Sequence, residues 1–114
     1  MLNRKLTIVD YGMGNIGSVA NAVEVLGEQV FISSSHSVLE ESDAFILPGV
    51  GAFPQAMQNM RDAGLDNLLT DQVIKHKKPI LGICLGMQLM AKDSVEMEHS
   101  EGLAWIDAHV LPMK

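Results

Sequence analysis

The first patterned segment of the chain is Leu6-Thr7-Ile8-Val9, a short β-branched run that ends in Asp10-Tyr11-Gly12-Met13-Gly14-Asn15, residues that favour a turn. From Ser18 the period changes. Val19, Val23 and Leu26 recur at helical spacing, and Gly27 stands where a C-terminal cap is expected. Val30-Phe31-Ile32 reads as a second strand. A turn over Ser33 to Ser37 leads into a short helical segment, Val38 to Ser42, and then into Ala44-Phe45-Ile46-Leu47, an almost wholly apolar third strand suited to burial on both faces. Pro48-Gly49-Val50-Gly51 stops that strand.

Phe53, Met57 and Met60 mark the next helix, which Gly64 ends. Leu65, Leu68, Leu69 and Gln72-Val73 mark another, closed by a basic stretch from Lys75 to Lys78 that complements the negative end of the helix dipole. Pro79-Ile80-Leu81-Gly82-Ile83 is the fourth strand and runs straight into Cys84. Gly86 to Ala91 has helical composition, Asp93 to Glu101 reads as a polar surface loop, and Leu103 to Ile106 and Ala108 to Leu111 read as strand. This alternation implies an α/β fold, a mostly parallel sheet flanked by helices in the flavodoxin or Rossmann manner, with functional sites at the C-terminal ends of the strands. A length of 114 residues implies one domain.

Composition narrows the partners. With 14 acidic against 8 basic residues, a net charge of −6, and no basic cluster beyond Lys75-His76-Lys77-Lys78, nucleic acid is excluded as a partner. The longest apolar run, Ile80 to Leu85, has glycine inside it and falls far short of the roughly 18 residues of a membrane span. No signal-peptide pattern precedes the first strand, so the expected location is the cytoplasm. One cysteine makes no internal disulfide, and four scattered histidines offer no zinc spacing. Neither a metal nor a cofactor is expected.

Three glycine-containing turns each follow a strand, so the fold brings them to one edge of the sheet. In the third, Gly82-Ile83-Cys84-Leu85-Gly86, the cysteine takes the place of the nucleophile in a strand-to-helix elbow, where strained backbone leaves room only for small residues two positions to either side. A helix beginning after Cys84 favours the thiolate, and the Leu85 N–H is aimed where an oxyanion would form. A lone cysteine in an apolar strand is ordinarily a small buried hydrophobe; the flanking glycines argue otherwise. The first turn extends into Gly12-Met13-Gly14-Asn15-Ile16-Gly17, which matches the dinucleotide fingerprint G-x-G-x-x-G, yet the second strand ends in Ser33-Ser34-Ser35-His36, without an acid for a ribose or an arginine for a phosphate. Met57, Met60, Met87 and Met90 read as core packing, and His36, His76 and His99 as solvated.

Asp10-Tyr11-Gly12-Met13-Gly14-Asn15, Pro48-Gly49-Val50-Gly51-Ala52-Phe53 and Gly82-Ile83-Cys84-Leu85-Gly86-Met87-Gln88 together resemble the class I glutamine amidotransferases, specifically the glutaminase subunit of imidazole glycerol phosphate synthase. The second motif discriminates within the class, because relatives serving guanylate or pyridoxal phosphate synthesis typically carry two adjacent glycines after the proline. The resemblance implies Cys84 as nucleophile, Leu85 with Val50 and Gly51 as the oxyanion-hole backbone, and Gly49, Gly51 and Gln88 around the glutamine. It further implies hydrolysis of glutamine to glutamate and ammonia through a thioester. Ammonia would pass to a separate cyclase subunit, a (β/α)8 barrel docked near Tyr11 to Asn15, for histidine biosynthesis; similar subunits supply ammonia to modified-sugar synthesis. Gly17 departs from the larger, often basic residue that many relatives carry there.

The larger departure concerns acid–base chemistry. The family places a His-x-Glu pair near its C-terminus, whereas here His109 is followed two positions later by Leu111 and reads as a strand residue. The expectation is therefore that residues 1–114 form a single incomplete domain, inactive alone and bearing an exposed sheet edge or apolar face. Two other readings stay open at this stage: a non-catalytic binding module of the same shape, and a dinucleotide-binding α/β domain.

Overall fold

Four parallel strands carry the molecule in a computed structural model that describes residues 4–27 and 29–113. They are β1 (Leu6–Val9), β2 (Val30–Ser33), β3 (Ala44–Leu47) and β4 (Ile80–Gly82), in the spatial order β2-β1-β3-β4. Ile8 is paired with Ile32 on one side and Ile46 on the other, and Leu47 with Gly82. The chain leaves β1 to one side for β2 and returns across it to β3, so the order reverses between β1 and β3. In an open parallel sheet the crevice beyond that reversal is where ligands bind.

Helices cover the two faces unequally. On one, α1 (Ile16–Val25) lays Ile16, Val19, Ala20 and Val23 over Leu6, Ile8, Val30 and Ile46. On the other, α2 (His36–Glu41), α3 (Phe53–Asp62) and α4 (Leu65–Thr70) bury Leu39, Phe53, Met57, Met60, Leu65 and Leu69 against Val9, Phe45 and Leu47. Met57 and Met60 of α3 are core, as their spacing implied, and Met90 is buried too, but Met87, read as core with them, is exposed. Thr7, the one polar residue in β1, is buried but paired with the Ser42 hydroxyl at 2.6 Å. β4 lies at the edge of the sheet with Leu81 59% exposed, above an open apolar cleft lined by Leu6, Ala44, Ile46, Pro79 and Leu81. The expected exposed edge and apolar face are found there.

Past Cys84 the expected elements are redrawn. α5 (Leu85–Gln88) is a single turn and does not reach Ala91. β5 (Ala91–Ser94) runs from the end of the segment read as helical into the stretch read as a surface loop, that stretch also contains β6 (Ser100–Glu101), and β7 (Ile106–Val110) pairs with β5 instead of joining the main sheet. These form a second sheet, ordered β6-β5-β7. Leu103 to Trp105 is a connection, because its amides are used elsewhere: the Leu103 N–H donates to Leu89 at 2.7 Å and that of Trp105 to Met90 at 2.9 Å. The segment read as one helix through Gln72-Val73 changes at Thr70 into a π-helical turn, Asp71–Lys75.

Candidate active site

Cys84 stands between β4 and α5 with φ 53° and ψ −120°, a combination that a residue with a Cβ adopts only under strain of order 1–3 kcal/mol. The side chain is exposed. The flanking glycines are small for a steric reason that the coordinates make explicit. A Cβ on Gly82 would lie 2.6 Å from Met90 Cε and 2.7 Å from Met87 Cα, where α5 folds back on β4. One on Gly86 would overlap the Leu47 carbonyl and come within 3.1 Å of the Pro48 oxygen. The elbow is thus wedged against the end of β3, with the Ile83 N–H donating to Leu47 at 3.0 Å.

The second turn packs on that elbow. A Cβ at Gly49 would run into the Tyr11 hydroxyl and lie 3.1 Å from both the Gly86 nitrogen and the Leu85 Cβ. Gly51 has φ 117° and faces Met13, whose Cε would be 2.9 Å from an added Cβ. Between these glycines Val50 is exposed. The Leu85 N–H is not free: it donates to the Gly49 carbonyl at 3.1 Å.

The first turn closes the group. Gly14 presses on Gly49, with 3.3 Å from an added Cβ to the Gly49 Cα and nitrogen. Gly14 therefore serves the packing of one turn on another, while an added Cβ on Gly12 would meet only the Asn59 side chain and one on Gly17 nothing within 4 Å. Tyr11 is buried and its hydroxyl donates to the Pro48 carbonyl at 2.5 Å; burial pushes the phenol well above its ordinary 10.0. Asn59 of α3 donates to the Tyr11 carbonyl at 3.1 Å.

Beside the elbow, a small cleft is lined by Gly51, Ala52, Phe53, Pro54, Gln88, Ser94, Glu96 and Met97. Gln88 stands one turn beyond Cys84, its N–H donating to the Cys84 carbonyl at 3.3 Å. Of the predicted site residues, Gly51 and Gln88 line this cleft, whereas Gly49, Val50, Cys84 and Leu85 do not. Glu96 was missed, because Asp93 to Glu101 reads as a polar, acidic surface loop and nothing local distinguishes a lining carboxylate from a solvated one. Among the described residues no histidine or carboxylate is hydrogen-bonded to Cys84 Sγ. The histidines are engaged elsewhere: His36 with the Ala63 carbonyl at 2.8 Å, His76 with Asp71 at 3.4 Å, and both His99 (3.1 Å) and His109 (2.7 Å) with Asp93. Solvation alone, as expected for the first three, understates their pairing. No group of metal-ligating residues is present among the described residues.

The family model described as glutamine amidotransferase class-I matches residues 7–111. The chain belongs to this family. Among curated amidotransferase relatives, imidazole glycerol phosphate synthase subunit HisH 2 of Vibrio vulnificus (strain YJ016) is 43% identical over 96% of this chain and 52% of its own length. Subunit HisH of Listeria monocytogenes serotype 4b (strain CLIP80459) is 44% identical over 92% of this chain and 50% of its own. The chain spans about half the length of the curated relatives it matches. A solved glutamine amidotransferase superposes with a TM-score of 0.77 at 22% identity, covering 92% of this chain and 55% of that one, which establishes the shared fold. No helix among the described residues is long and apolar enough to cross a membrane.

Proposed function

We propose that this chain is the nucleophile-bearing part of a glutaminase subunit of imidazole glycerol phosphate synthase, acting in histidine biosynthesis with a cyclase subunit that receives the ammonia. The observation that carries the reading is the exposed Cys84 at positive φ, held by two glycines whose missing side chains are demanded by neighbouring backbone. Strain at an exposed thiol is retained where the thiol is used. In the reaction Cys84 Sγ bonds to the amide carbon of glutamine, the carbonyl oxygen gains the negative charge, and the carbon–nitrogen bond then breaks to leave a thioester and ammonia. Water hydrolyses the thioester to glutamate.

Two features of the site bear on its details. Glu96 and Gln88 offer a carboxylate and an amide to the ammonium and carboxylate of a glutamine lying in the cleft. The oxyanion donors require a movement: turning the Gly49–Val50 peptide over withdraws the carbonyl from the Leu85 N–H and brings the Val50 N–H in beside it. Val50 is exposed and has glycine on each side, so little resists that turn. Proton transfer to the departing ammonia needs a group beyond those near Cys84 among the described residues, so this chain alone turns glutamine over negligibly.

A diazoketone analogue of glutamine tests the assignment without a separate base, because the thiol proton passes to the diazo carbon as nitrogen leaves and the sulfur–carbon bond forms. Mass spectrometry is expected to find one adduct, on Cys84, and none in Cys84→Ala. An unmodified Cys84 would overturn the assignment.

A further inference from the structure

We propose that Tyr11 is a positioning residue for the oxyanion loop, its hydroxyl clamping the Pro48–Gly49 peptide so that only the Gly49–Val50 peptide turns. The inference rests on the glutaminase reading above and names the part that makes its loop movement specific. Gly49 is the pivot. On its N-terminal side the backbone is held three ways: the Pro48 ring fixes φ and is fully buried, the Pro48 carbonyl accepts from Tyr11 at 2.5 Å, and Gly14 is pressed against the Gly49 Cα. On the far side Met13 braces Gly51. Between them Val50 projects into solvent, 57% exposed.

The hydroxyl has no other evident purpose. Tyr11 packs in a core of Val9, Leu47, Phe53 and Leu85, where a phenylalanine ring would fill the same space without the cost of burying an oxygen. It is the only tyrosine in the chain. Its burial keeps the phenol protonated, hence a hydrogen-bond donor, throughout the neutral range. Its backbone is anchored in turn, since Asn59 of α3 donates to the Tyr11 carbonyl. The clamp therefore runs from a helix in the core, through the first turn, to the loop beside the nucleophile. The loop then has one rotatable peptide and two defined positions. With the hydroxyl removed, the Pro48–Gly49 peptide also rotates and the Val50 N–H no longer arrives at one place.

The test uses the whole chain with a γ-glutamyl p-nitrophenyl ester, read against its uncatalysed breakdown. Cys84 Sγ bonds to the carbonyl carbon of the γ-ester as that carbon's bond to p-nitrophenolate breaks, the thiol proton passing to solvent, so the burst reports acylation without a general acid. Iodoacetamide, which alkylates the same sulfur with no oxyanion, is the control. Tyr11→Phe is expected to lower the saturating burst rate constant about tenfold, a fraction of what losing an oxyanion donor outright costs. Half-saturation and the alkylation rate should stay within about twofold. Asn59→Leu, at a half-buried helix position, frees the Tyr11 carbonyl and should lower the burst in the same direction, which keeps the test open should Tyr11→Phe not fold. A burst unchanged in either folded variant, or an equal fall in alkylation, would overturn the clamp. Absence of a burst in the unmodified chain would instead sink the glutaminase reading.

Discussion

The Leu85 N–H donates to the carbonyl of Gly49 at 3.1 Å, so the donor adjoining the nucleophile is occupied by the loop that faces it. That closeness depends on Gly49 having no side chain, since a Cβ there would meet the Tyr11 hydroxyl and lie 3.1 Å from the Leu85 Cβ and the Gly86 nitrogen. Gly49→Ala is expected to lower stability by about 1–3 kcal/mol, the usual range for forcing extra volume into a packed site. Urea denaturation reads this directly. An unchanged midpoint would mean that the two turns are not packed as described.

Strain at Cys84 makes a prediction of opposite sign. At φ 53° and ψ −120° a Cβ is unfavourable and glycine is at ease, and the exposed thiol has little packing to lose. Cys84→Gly should be more stable than Cys84→Ala by about 1 kcal/mol. If the alanine variant proves the more stable, the elbow is not strained.

Asp93 joins β5 to β7 through His109 Nδ1 and takes His99 from the intervening segment. The hydrogen bond from His109, aided by that from His99 and by their charge, holds its carboxyl below the ordinary 3.8 against an opposing effect of desolvation. A carboxyl lowered on folding adds stability above its unfolded value, and that addition fades as pH falls through the lower folded value. Stability of the unmodified chain should therefore drop more steeply below about pH 4 than that of Asp93→Asn. Parallel profiles from thermal melts at several pH values would exclude the linkage.

Trp105 Nε1 donates to Thr70 Oγ1 at 2.9 Å, tying the connection before β7 to the end of α4. It is the only tryptophan. Thr70→Val removes the acceptor at nearly the same volume and is expected to cost about 0.5–1.5 kcal/mol, with a change in emission that tracks the docking of the small sheet. Emission and midpoint both unaltered would contradict that tie.

The main sheet was legible because β1 to β4 are short apolar runs closed by turn-forming residues, and the elbow because Gly82 and Gly86 bracket Cys84 at a spacing that sterics demand. The second sheet was not. Ala91-Lys92-Asp93-Ser94 carries no β-branched residue, and it is strand because β6 and β7 pair with it and because Asp93 meets two histidines. Such long-range pairing leaves no local mark. The occupied Leu85 N–H was hidden for the same reason: spacing places the donor but not the carbonyl that comes to it from thirty-six residues away in the chain. Glu96 reached the cleft only through the turn between β5 and β6.

Pre-steady-state acylation by the L and D forms of a γ-glutamyl p-nitrophenyl ester tests the central claim most directly, because reactivity of an exposed thiol alone would not distinguish them. If Cys84 attacks a glutamine held by Gln88 and Glu96, the L form acylates Cys84 at least about tenfold faster than the D form, and the burst vanishes in Cys84→Ala. Equal rates for the two forms, or a burst that survives Cys84→Ala, would contradict it.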